Sequence, residues 1–326
     1  MLDLVITHWT EPWEIGKKAF QMLAVQRLVN WDDITVTLIH DGSEAFPDEY
    51  FADCPFEVHQ VCIPHGGIAA ARNYSIDHCN GEWIKWCDFD DMFVCSYSLN
   101  AIMNVLYKAQ DYDLLWFPLV WEHNDGRRFL KDERDPVFIH NKVFRKSMIA
   151  EKGLRFPEHL TWCEDSAFLA VMEMEIDHQR IGKIISDMPI YAYFVRDGSL
   201  CNRPEIKFAN LQSFFQRHIY VAEEFRKRGL MDQYYTMCLR VMCDSYCTLY
   251  IAKDIPEDRS EHEKRVWQWY DEHVDAVKKC RAEMVPWVMN AVNRESRDGT
   301  VEWNQIREWI ENHERGEAEW QQRQAI

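Results

Sequence analysis

An apolar run that ends abruptly in three carboxylates constrains this chain more than any other stretch. Residues 83–87 have the composition of a short, buried strand, and Asp88, Asp90 and Asp91 follow at its carboxyl end. Like charges at a buried strand end repel one another and resist desolvation. They persist only where a cation, hydrogen-bond donors or solvent offsets that cost. We therefore take a divalent metal site as the working hypothesis.

A solvated loop and an EF-hand are the alternatives to that metal site at the acidic turn. A solvated loop after a strand is common, and the charges alone leave that alternative open. An EF-hand loop needs a third oxygen ligand, then glycine, then a distal glutamate. The corresponding positions hold Met92, Phe93 and Leu99, which excludes an EF-hand.

Length and charge bound the class of protein. With 326 residues and 47% hydrophobic composition, the chain can bury one large domain or two modest ones. The net charge of −17 argues against a broad surface for nucleic acid or anionic membrane, although a local basic cleft stays open.

The cysteines and the apolar runs bear on location. Eleven cysteines are scattered without a paired framework, which fits a reducing compartment. The first residues lack the pattern of a signal peptide, and no run approaches the ~18 apolar residues of a membrane span. We expect a cytoplasmic protein with no stable membrane insertion.

Strands and helices alternate in the first part of the chain. Strands are predicted over residues 2–6, 34–39, 56–63 and 83–87, with helices after the first and third strands. This order predicts an open, mostly parallel sheet with helices on both faces, which binds ligands at the carboxyl ends of its strands. Asp41 and the three acids after residue 87 both fall at that edge.

The pattern changes near residue 203. Further strands are predicted over residues 114–121, 137–139, 181–185 and 191–195, and a charged hairpin or loop over 123–135. From residue 204 onward, long helical periodicity has few breakers. We therefore predict an α/β domain over residues 1–203 and an all-helical extension over residues 204–326.

The helical extension carries no obvious catalytic motif. Its tryptophans are suited to core packing, to a partner surface or to a carbohydrate platform, and core packing is favoured. Cys238, Cys243 and Cys247 stand at roughly helical spacing in an apolar stretch, which favours packed thiols over a zinc site.

Residues 66–93, GGIAAARNYSIDHCNGEWIKWCDFDDMF, resemble the core of glycosyltransferase family 2 enzymes of the GT-A fold. Those enzymes typically show a glycine, an Ala-Arg-Asn helix segment, a Gly-Glu-aromatic-Ile strand and then Asp-x-Asp-Asp. The resemblance extends to residues 41–43, to residues 153–156 with the acids that follow, and to residues 191–199. It covers roughly residues 1–203, and the helical remainder lies outside it.

The resemblance implies a metal-bound nucleotide-sugar donor. Departure of the donor diphosphate builds negative charge, which a divalent ion on an Asp-x-Asp pair neutralises as a Lewis acid. Asp88 and Asp90 match that pair, with Asp90 favoured as the direct ligand and Asp91 as support. Oxygen ligands at a partly hydrated site suit Mg²⁺ or Mn²⁺.

The resemblance also implies donor contacts. It places Asp41 against the nucleobase or ribose and Arg72 near the nucleotide or diphosphate, and Trp9 could stack on the base. Arg196, Ser199 and Arg203 are expected to close over the diphosphate. The sequence departs from the family at His40, which replaces an acid, and at residues 7–10, so a UDP-sugar is favoured only weakly.

Inversion at the anomeric carbon needs a base that accepts the proton of the acceptor hydroxyl. The family places that group at a Glu-Asp pair, which implies Asp165 as the general base and Glu164 as a positioning residue. Without the resemblance, both acids would be explained by the positive end of a helix dipole.

The sequence therefore predicts a metal-dependent inverting glycosyltransferase. By analogy the acceptor is a saccharide or glycan precursor. Hydroxymethylated bases of DNA are an alternative acceptor, and a non-catalytic sugar- or nucleotide-binding module is an alternative class. The helical extension is expected to shape the acceptor side or to mediate a homo-oligomer.

Overall fold

The structure is a computed structural model that describes residues 1–123, 126–131, 138–184, 189–195, 207–251, 259–295 and 299–324. The chain divides into two compact units, Met1–Arg203 and Pro204–Ile326. The first unit is an α/β structure and the second is helical, and each is described below by itself.

A seven-stranded sheet forms the centre of the first unit, in the order β10-β6-β9-β4-β1-β2-β3. β1, β2, β3 and β4 are parallel to one another, as are β6 and β10, whereas β9 runs antiparallel to both of its neighbours. The strands are β1 (Leu2–His8), β2 (Ile34–Asp41), β3 (Val58–Ile63), β4 (Trp83–Asp88), β6 (Leu114–Trp116), β9 (Lys142–Arg145) and β10 (Ile181–Lys183).

A smaller four-stranded sheet has the order β5-β11-β7-β8. β11 is antiparallel to β5 and parallel to β7, and β7 forms an antiparallel hairpin with β8. Its strands are β5 (Met92–Phe93), β7 (Leu119–His123), β8 (Arg128–Lys131) and β11 (Tyr191–Val195). Because β5 follows β4 closely, this sheet begins at the acidic end of β4.

The helices of the first unit cover the main sheet. They are α1 (Trp13–Ala24), α2 (Ile68–His78), α3 (Ser98–Leu106), α4 (Lys146–Glu151) and α5 (Glu164–Glu175). α1 buries an apolar stripe that includes Phe20 and Leu23, whereas α2 buries Arg72, Asn73 and Ser75. α2 therefore brings polar groups into the interior, and those groups need partners there.

The strand that ends in the acids packs on both faces. The ring of Trp86 is fully buried against Phe144, Phe156 and Phe168, and its Nε1 donates to the Ser75 hydroxyl at 2.8 Å. Burial of such a ring contributes roughly 2–3 kcal/mol of hydrophobic stabilisation. The carboxylates after β4 thus follow a strand whose position is fixed by packing.

The second unit consists of α6 (Lys207–Lys227), α7 (Met231–Tyr250), α8 (Ser260–Lys278), α9 (Val285–Glu295) and α10 (Trp303–Gln324). Cys238 and Cys243 are buried on α7, and no metal-ligating group occurs around them among the described residues. Trp269 is buried and Trp267 packs against Trp309, in keeping with core packing, whereas Trp287 is exposed.

The predicted fold class is confirmed, and two local predictions differ. Residues 114–121 form two strands in different sheets, β6 and β7, since the chain changes sheet at Phe117 and Pro118. The strand expected at 137–139 is instead β9, a few residues later; residue 137 lies outside the described residues, and residues 138–139 have no strand conformation. None of the helices in the described part of the chain is both long and apolar enough to cross a membrane.

Candidate active site

A tight turn at the end of β4 brings two of the three acids together. The backbone N–H of Asp91 donates to the carbonyl of Asp88 at 3.2 Å, and the N–H of Asp88 donates to the hydroxyl of Tyr191 at 3.0 Å. The Asp88 carboxylate also accepts a long hydrogen bond from Thr7 at 3.5 Å. The turn is thereby fixed to β1 and β11.

Asp88, Asp91 and His140 form a group whose possible ligand atoms all lie within 4.8 Å of one another. His140 Nε2 lies 3.3 Å from Asp88 Oδ2. Asp90, favoured from the sequence as the direct ligand, is half-buried and is not one of the three. The three-residue group combines two carboxylates with one imidazole, a donor set found around divalent metals.

Only one oxygen of the Asp91 carboxylate accepts a hydrogen bond from the described residues. Its Oδ1 accepts from the N–H of Phe194 at 2.9 Å, but its buried Oδ2 has no hydrogen-bond partner among the described residues. Burial, followed by the charges of Asp90 and Asp88, raises the pKa of Asp91 well above its ordinary value. A buried carboxylate oxygen without a donor is the observation expected where a cation belongs.

His140 is the member of the group that the sequence did not reveal. It lies after a short apolar stretch and far from Asp88 in the sequence, and the sheet topology brings it to β4. Burial, with the charges of Arg72, Lys85 and Lys142, lowers its pKa well below the ordinary histidine value. The ring is therefore neutral at physiological pH, which is the form that ligates metals.

Arg72 connects the acidic turn to the Glu-Asp pair. Its side chain is 2% exposed, and it donates from Nη1 to Glu164 at 2.8 Å and from Nη2 to Asp88 at 3.2 Å. Burial opposes its charge, but the carboxylates of Asp88, Glu164 and Asp165 outweigh that effect and raise the pKa of Arg72. The residue predicted near the diphosphate is thus placed between the two acidic clusters.

Asn73, the neighbour of Arg72, exchanges two hydrogen bonds with the backbone of Phe156. Its amide accepts from the N–H of Phe156 and donates to the carbonyl of the same residue, both at 2.9 Å. This two-way contact ties α2 to the segment before α5. The asparagine of the Ala-Arg-Asn motif therefore has a structural role in this fold.

Glu164 and Asp165 open α5 beside Arg72. The residue before them, Cys163, has a left-handed backbone with φ of 66°, a conformation that costs a non-glycine residue about 1–2 kcal/mol. Burial and the neighbouring carboxylate of Glu164 raise the pKa of Asp165 to about 7. A carboxylate with that pKa can accept a proton near neutral pH and give it up again.

Both carboxylate oxygens of Asp41, at the end of β2, accept hydrogen bonds. It is 3% exposed and accepts from the N–H groups of Gly66 and Gly67 at 2.7 and 2.9 Å and from His65 Nδ1 at 2.8 Å. Gly67 has a φ of +85°, which favours glycine there. The carboxylate therefore shapes the turn that leads into α2.

Trp9 lies at the exposed edge next to Asp41. It is 48% exposed and stacks on His65, with ring centroids 5.2 Å apart and an angle of 11° between the planes. The pair forms an aromatic surface at the carboxyl ends of β1 and β3. A flat, exposed ring of this kind can receive a nucleobase.

His40, which replaces a family acid, pairs with His8 through their Nδ1 atoms at 2.9 Å. The Nε2 atoms face acceptors, the Glu11 carbonyl at 2.8 Å and Gln60 Oε1 at 3.0 Å, so each carries a hydrogen. The Ser43 hydroxyl also lies 3.1 Å from His8 Nδ1, so this nitrogen has a possible hydroxyl donor besides His40. Burial lowers the pKa of His40 to about 4, so its ring is neutral near neutral pH.

Three predicted donor residues, Arg196, Ser199 and Arg203, lie outside the described residues. A cavity of about 340 Å³ lies at the opposite edge of the main sheet, beside Met1, Trp83 and Arg145. It contains none of the predicted site residues, so the candidate site is defined by the side chains at the carboxyl edge.

The residues present fit a divalent ion. The unpartnered Asp91 Oδ2 and the neutral ring of His140 face the same space as Asp88. Two carboxylates suit Mg²⁺ and Mn²⁺ alike, whereas the imidazole favours a transition metal, so this donor set suits Mn²⁺ better than Mg²⁺.

Comparisons with known proteins agree with this architecture. No protein family model matches the chain. It is 24% identical over 162 residues to the Minor teichoic acid biosynthesis protein GgaB of Bacillus subtilis (strain 168), a match that covers 44% of this chain and 18% of that protein. The chain thus spans about a fifth of the length of that relative.

Two solved structures have a similar fold. S. aureus TarS superposes with a TM-score of 0.58 at 15% identity, over 90% of this chain and 53% of that one. The structure of S. aureus TarS 1-349 in complex with UDP superposes with a TM-score of 0.59 at 15% identity, over 96% and 91%. The resemblance noted in the sequence is thereby confirmed at the level of the fold, and the chain has the GT-A fold with a C-terminal helical extension.

Proposed function

We propose that the chain is a metal-dependent inverting glycosyltransferase that moves a sugar from a nucleoside diphosphate donor to an acceptor hydroxyl. The observation that carries this proposal is the connection of two acidic clusters through one buried guanidinium. Arg72 bonds to Asp88 of the metal-ligating group and to Glu164 of the pair that contains Asp165. Arg72 thus links the proposed metal-ligating group to the acidic pair that contains the proposed proton acceptor.

The residues of the first cluster would hold the metal. Asp88, Asp91 and His140 are the ligands, and Asp90 remains a further candidate from the sequence. When bound, the ion neutralises the charge that develops on the departing diphosphate. Arg72 orients the carboxylate of Asp88, because it donates to Oδ1 and leaves Oδ2 toward His140.

Asp165 accepts the proton in the transfer step. The acceptor oxygen forms a bond to the anomeric carbon on the face opposite the diphosphate, whose bond to that carbon breaks with its electron pair. The hydroxyl proton passes to the Asp165 carboxylate, and the nucleoside diphosphate leaves. Glu164 is held by Arg72 and orients Asp165, and its charge favours the protonated product of that step.

The donor nucleotide would lie along the edge formed by Trp9 and Asp41. The exposed Trp9 ring supplies a stacking surface, and Arg196, Ser199 and Arg203 are proposed to contact the diphosphate. The UDP bound in the TarS 1-349 complex supports a uridine nucleotide. The name of the Bacillus subtilis relative supports a teichoic acid precursor as the acceptor.

The test is transfer by the full chain from a panel of nucleoside diphosphate sugars with Mn²⁺. Product with the opposite anomeric configuration to the donor, abolished by chelation and restored by Mn²⁺, is the expected result. Asp165→Asn should fold and bind donor but transfer sugar more slowly, by about 10²-fold or more. Donor binding with neither transfer nor donor hydrolysis under any of these conditions would instead indicate the non-catalytic module.

The acceptor is tested separately. Saccharide and glycan-precursor acceptors should be glycosylated, and transfer should be insensitive to added DNA. Salt-sensitive binding to DNA, together with transfer to hydroxymethylated bases, would replace the glycan by the nucleic-acid acceptor.

A further inference from the structure

We propose that Lys85 and Lys142 are positioning residues that hold the backbone around His140 so that its imidazole faces Asp88. This inference rests on the proposed function only in taking the Asp88, Asp91 and His140 group as a metal site. The two lysines lie on the adjacent strands β4 and β9, and both are fully buried. Neither contributes a ligand atom to the group.

Each backbone carbonyl from Phe138 to Asn141 accepts a hydrogen bond. Lys142 Nζ donates to the Phe138 carbonyl, and the Lys142 N–H donates to the Ile139 carbonyl at 3.1 Å. Lys85 Nζ donates to the His140 carbonyl. The N–H of Phe117 donates to the Asn141 carbonyl at 2.8 Å, and Lys142 Nζ also donates to the Asn141 side chain at 2.8 Å.

Two of those four carbonyls, of Phe138 and His140, therefore accept their hydrogen bonds from buried lysine ammonium groups and not from the backbone of a neighbouring strand. A buried lysine costs several kcal/mol of desolvation, and an apolar side chain of similar volume would avoid that cost. The cost is offset by charge-assisted hydrogen bonds to these carbonyls. The lysines also place positive charge below the acids of the site.

The usual means of orienting a metal-ligating histidine is missing from the described residues. Such rings normally donate their second nitrogen to a carboxylate or carbonyl, which fixes tautomer and direction. His140 Nδ1 is buried and has no hydrogen-bond partner among the residues that the structure describes. The direction of the ring must therefore come from the backbone and from stacking.

Stacking supplies the second half of that restraint. The His140 ring lies nearly parallel to Tyr191, with centroids 5.6 Å apart and an angle of 12°, and to Tyr193 at 6.1 Å. Lys85 Nζ lies 4.5 Å from the centre of the Tyr191 ring, and the Tyr191 hydroxyl accepts from the Asp88 N–H. One lysine thus contacts both the backbone of His140 and the tyrosine that packs on its ring.

The experiment measures Mn²⁺ binding by the full chain, without donor or acceptor. Free Mn²⁺ is followed by electron paramagnetic resonance during a titration, and pulsed measurements detect coupling of bound Mn²⁺ to an imidazole nitrogen. Lys85→Met and Lys142→Met remove the ammonium groups and keep apolar volume. Lys183→Met is the matched control, because Lys183 also lies over the Trp116 ring, as Lys142 does, but is exposed.

Wild type is expected to bind one Mn²⁺ with nitrogen coupling that His140→Gln removes. Each buried-lysine variant should bind Mn²⁺ about 10–100-fold more weakly, with the nitrogen coupling reduced or lost. Lys183→Met should match wild type. Since the two lysines cap different carbonyls, either variant that folds decides the proposal, and Lys85→Arg, which keeps a donor, should regain part of the coupling.

Retention of wild-type affinity and nitrogen coupling in a folded Lys85→Met or Lys142→Met protein would overturn the positioning role while the metal site stands. If both variants fail to fold, the lysines are structural rather than positioning residues, and the proposal is likewise overturned. Absence of Mn²⁺ binding or of nitrogen coupling in wild type would instead remove the metal site itself. The two failures are therefore distinguishable.

Discussion

Asp41 and Asp91 are two carboxylates with the same burial and opposite surroundings. Both are 3% exposed, and both lie at the carboxyl edge of the main sheet. Asp41 accepts from three donors within 2.9 Å, whereas Asp91 accepts from the Phe194 N–H at 2.9 Å. Its second oxygen has no partner within hydrogen-bond distance among the described residues, and the nearby Tyr191 hydroxyl only partly offsets its raised pKa. Burial alone therefore does not distinguish the two acids; the unsatisfied oxygen is the observation on which we propose Asp91 as a metal ligand.

The difference also separates stability from function. Two of the donors around Asp41 are backbone groups of the turn before α2, so its charge stabilises the fold directly. The raised pKa of Asp91 means that its ionised form is costly in the metal-free protein. A metal-ligating carboxylate is expected to have an unfavourable charge without the metal and a neutralised charge once the metal is bound.

The strongest test of this comparison exchanges each acid for its amide. Asp91→Asn should lower transfer roughly 10³-fold, equivalent to about 4 kcal/mol of charge stabilisation, and should abolish tight Mn²⁺ binding. Its metal-free stability should be unchanged or higher, because a costly buried charge is removed. Transfer rates, Mn²⁺ titration and chemical unfolding of chelator-treated protein measure these three effects.

Asp41→Asn is the matched control and should show the reverse. An amide nitrogen would face donors, so the free energy of unfolding should fall by about 1–3 kcal/mol while Mn²⁺ affinity is retained. Asp90→Asn distinguishes the neighbouring acid. A larger loss of Mn²⁺ affinity from Asp90→Asn than from Asp91→Asn would break the comparison and would favour the ligand expected from the sequence.

Asp165 extends the comparison to a third acid, which is half-buried. Its pKa of about 7 means that it is protonated, and unable to accept a proton, at acid pH. The ratio kcat/KM should therefore rise about tenfold per pH unit below pH 7 and level off above it. Asp165→Asn should lower kcat on the order of 10²-fold or more and remove this dependence. An unchanged pH profile in that variant would assign the titration to another group.

The sequence predicted β4 and the acids at its end, but it did not predict His140 as a member of the candidate site. Apolar composition followed by charge marks β4 and its acids locally, and the glycine pair before α2 marks a helix start. His140 escaped notice because antiparallel β9 is inserted between β4 and β6, an order that no local pattern encodes. Likewise, the sequence favoured Asp90 over Asp91 as the direct ligand, because it does not show the turn that brings Asp91 beside Asp88.

Trp9 tests whether the edge near the satisfied Asp41 receives the donor. Removal of a stacking ring costs about 1–3 kcal/mol, so Trp9→Ala should raise the KM for donor about tenfold or more and leave kcat nearly unchanged. Trp9→Phe retains a ring and should recover most of that loss. Steady-state kinetics with varied donor measure both. A fall in kcat with KM unchanged would place Trp9 outside the nucleotide-binding surface.

The smallest expected effect is the pH dependence of stability in the metal-free protein. Asp165 has a folded pKa of about 7, above its ordinary value of 3.8, so folding favours its protonated form. Its contribution is therefore present at low pH and is lost as the pH rises through about 7. Between pH 6 and pH 8 this group alone should lower the free energy of unfolding by about 1 kcal/mol.

Asp165→Asn should flatten that slope, because the amide does not titrate. Asp41→Asn should lower stability at both pH values, because its amide nitrogen would face the N–H donors of Gly66 and Gly67. Urea unfolding of chelator-treated protein at the two pH values gives the comparison directly. If Asp165→Asn and wild type lose equal stability from pH 6 to pH 8, the raised pKa does not belong to Asp165.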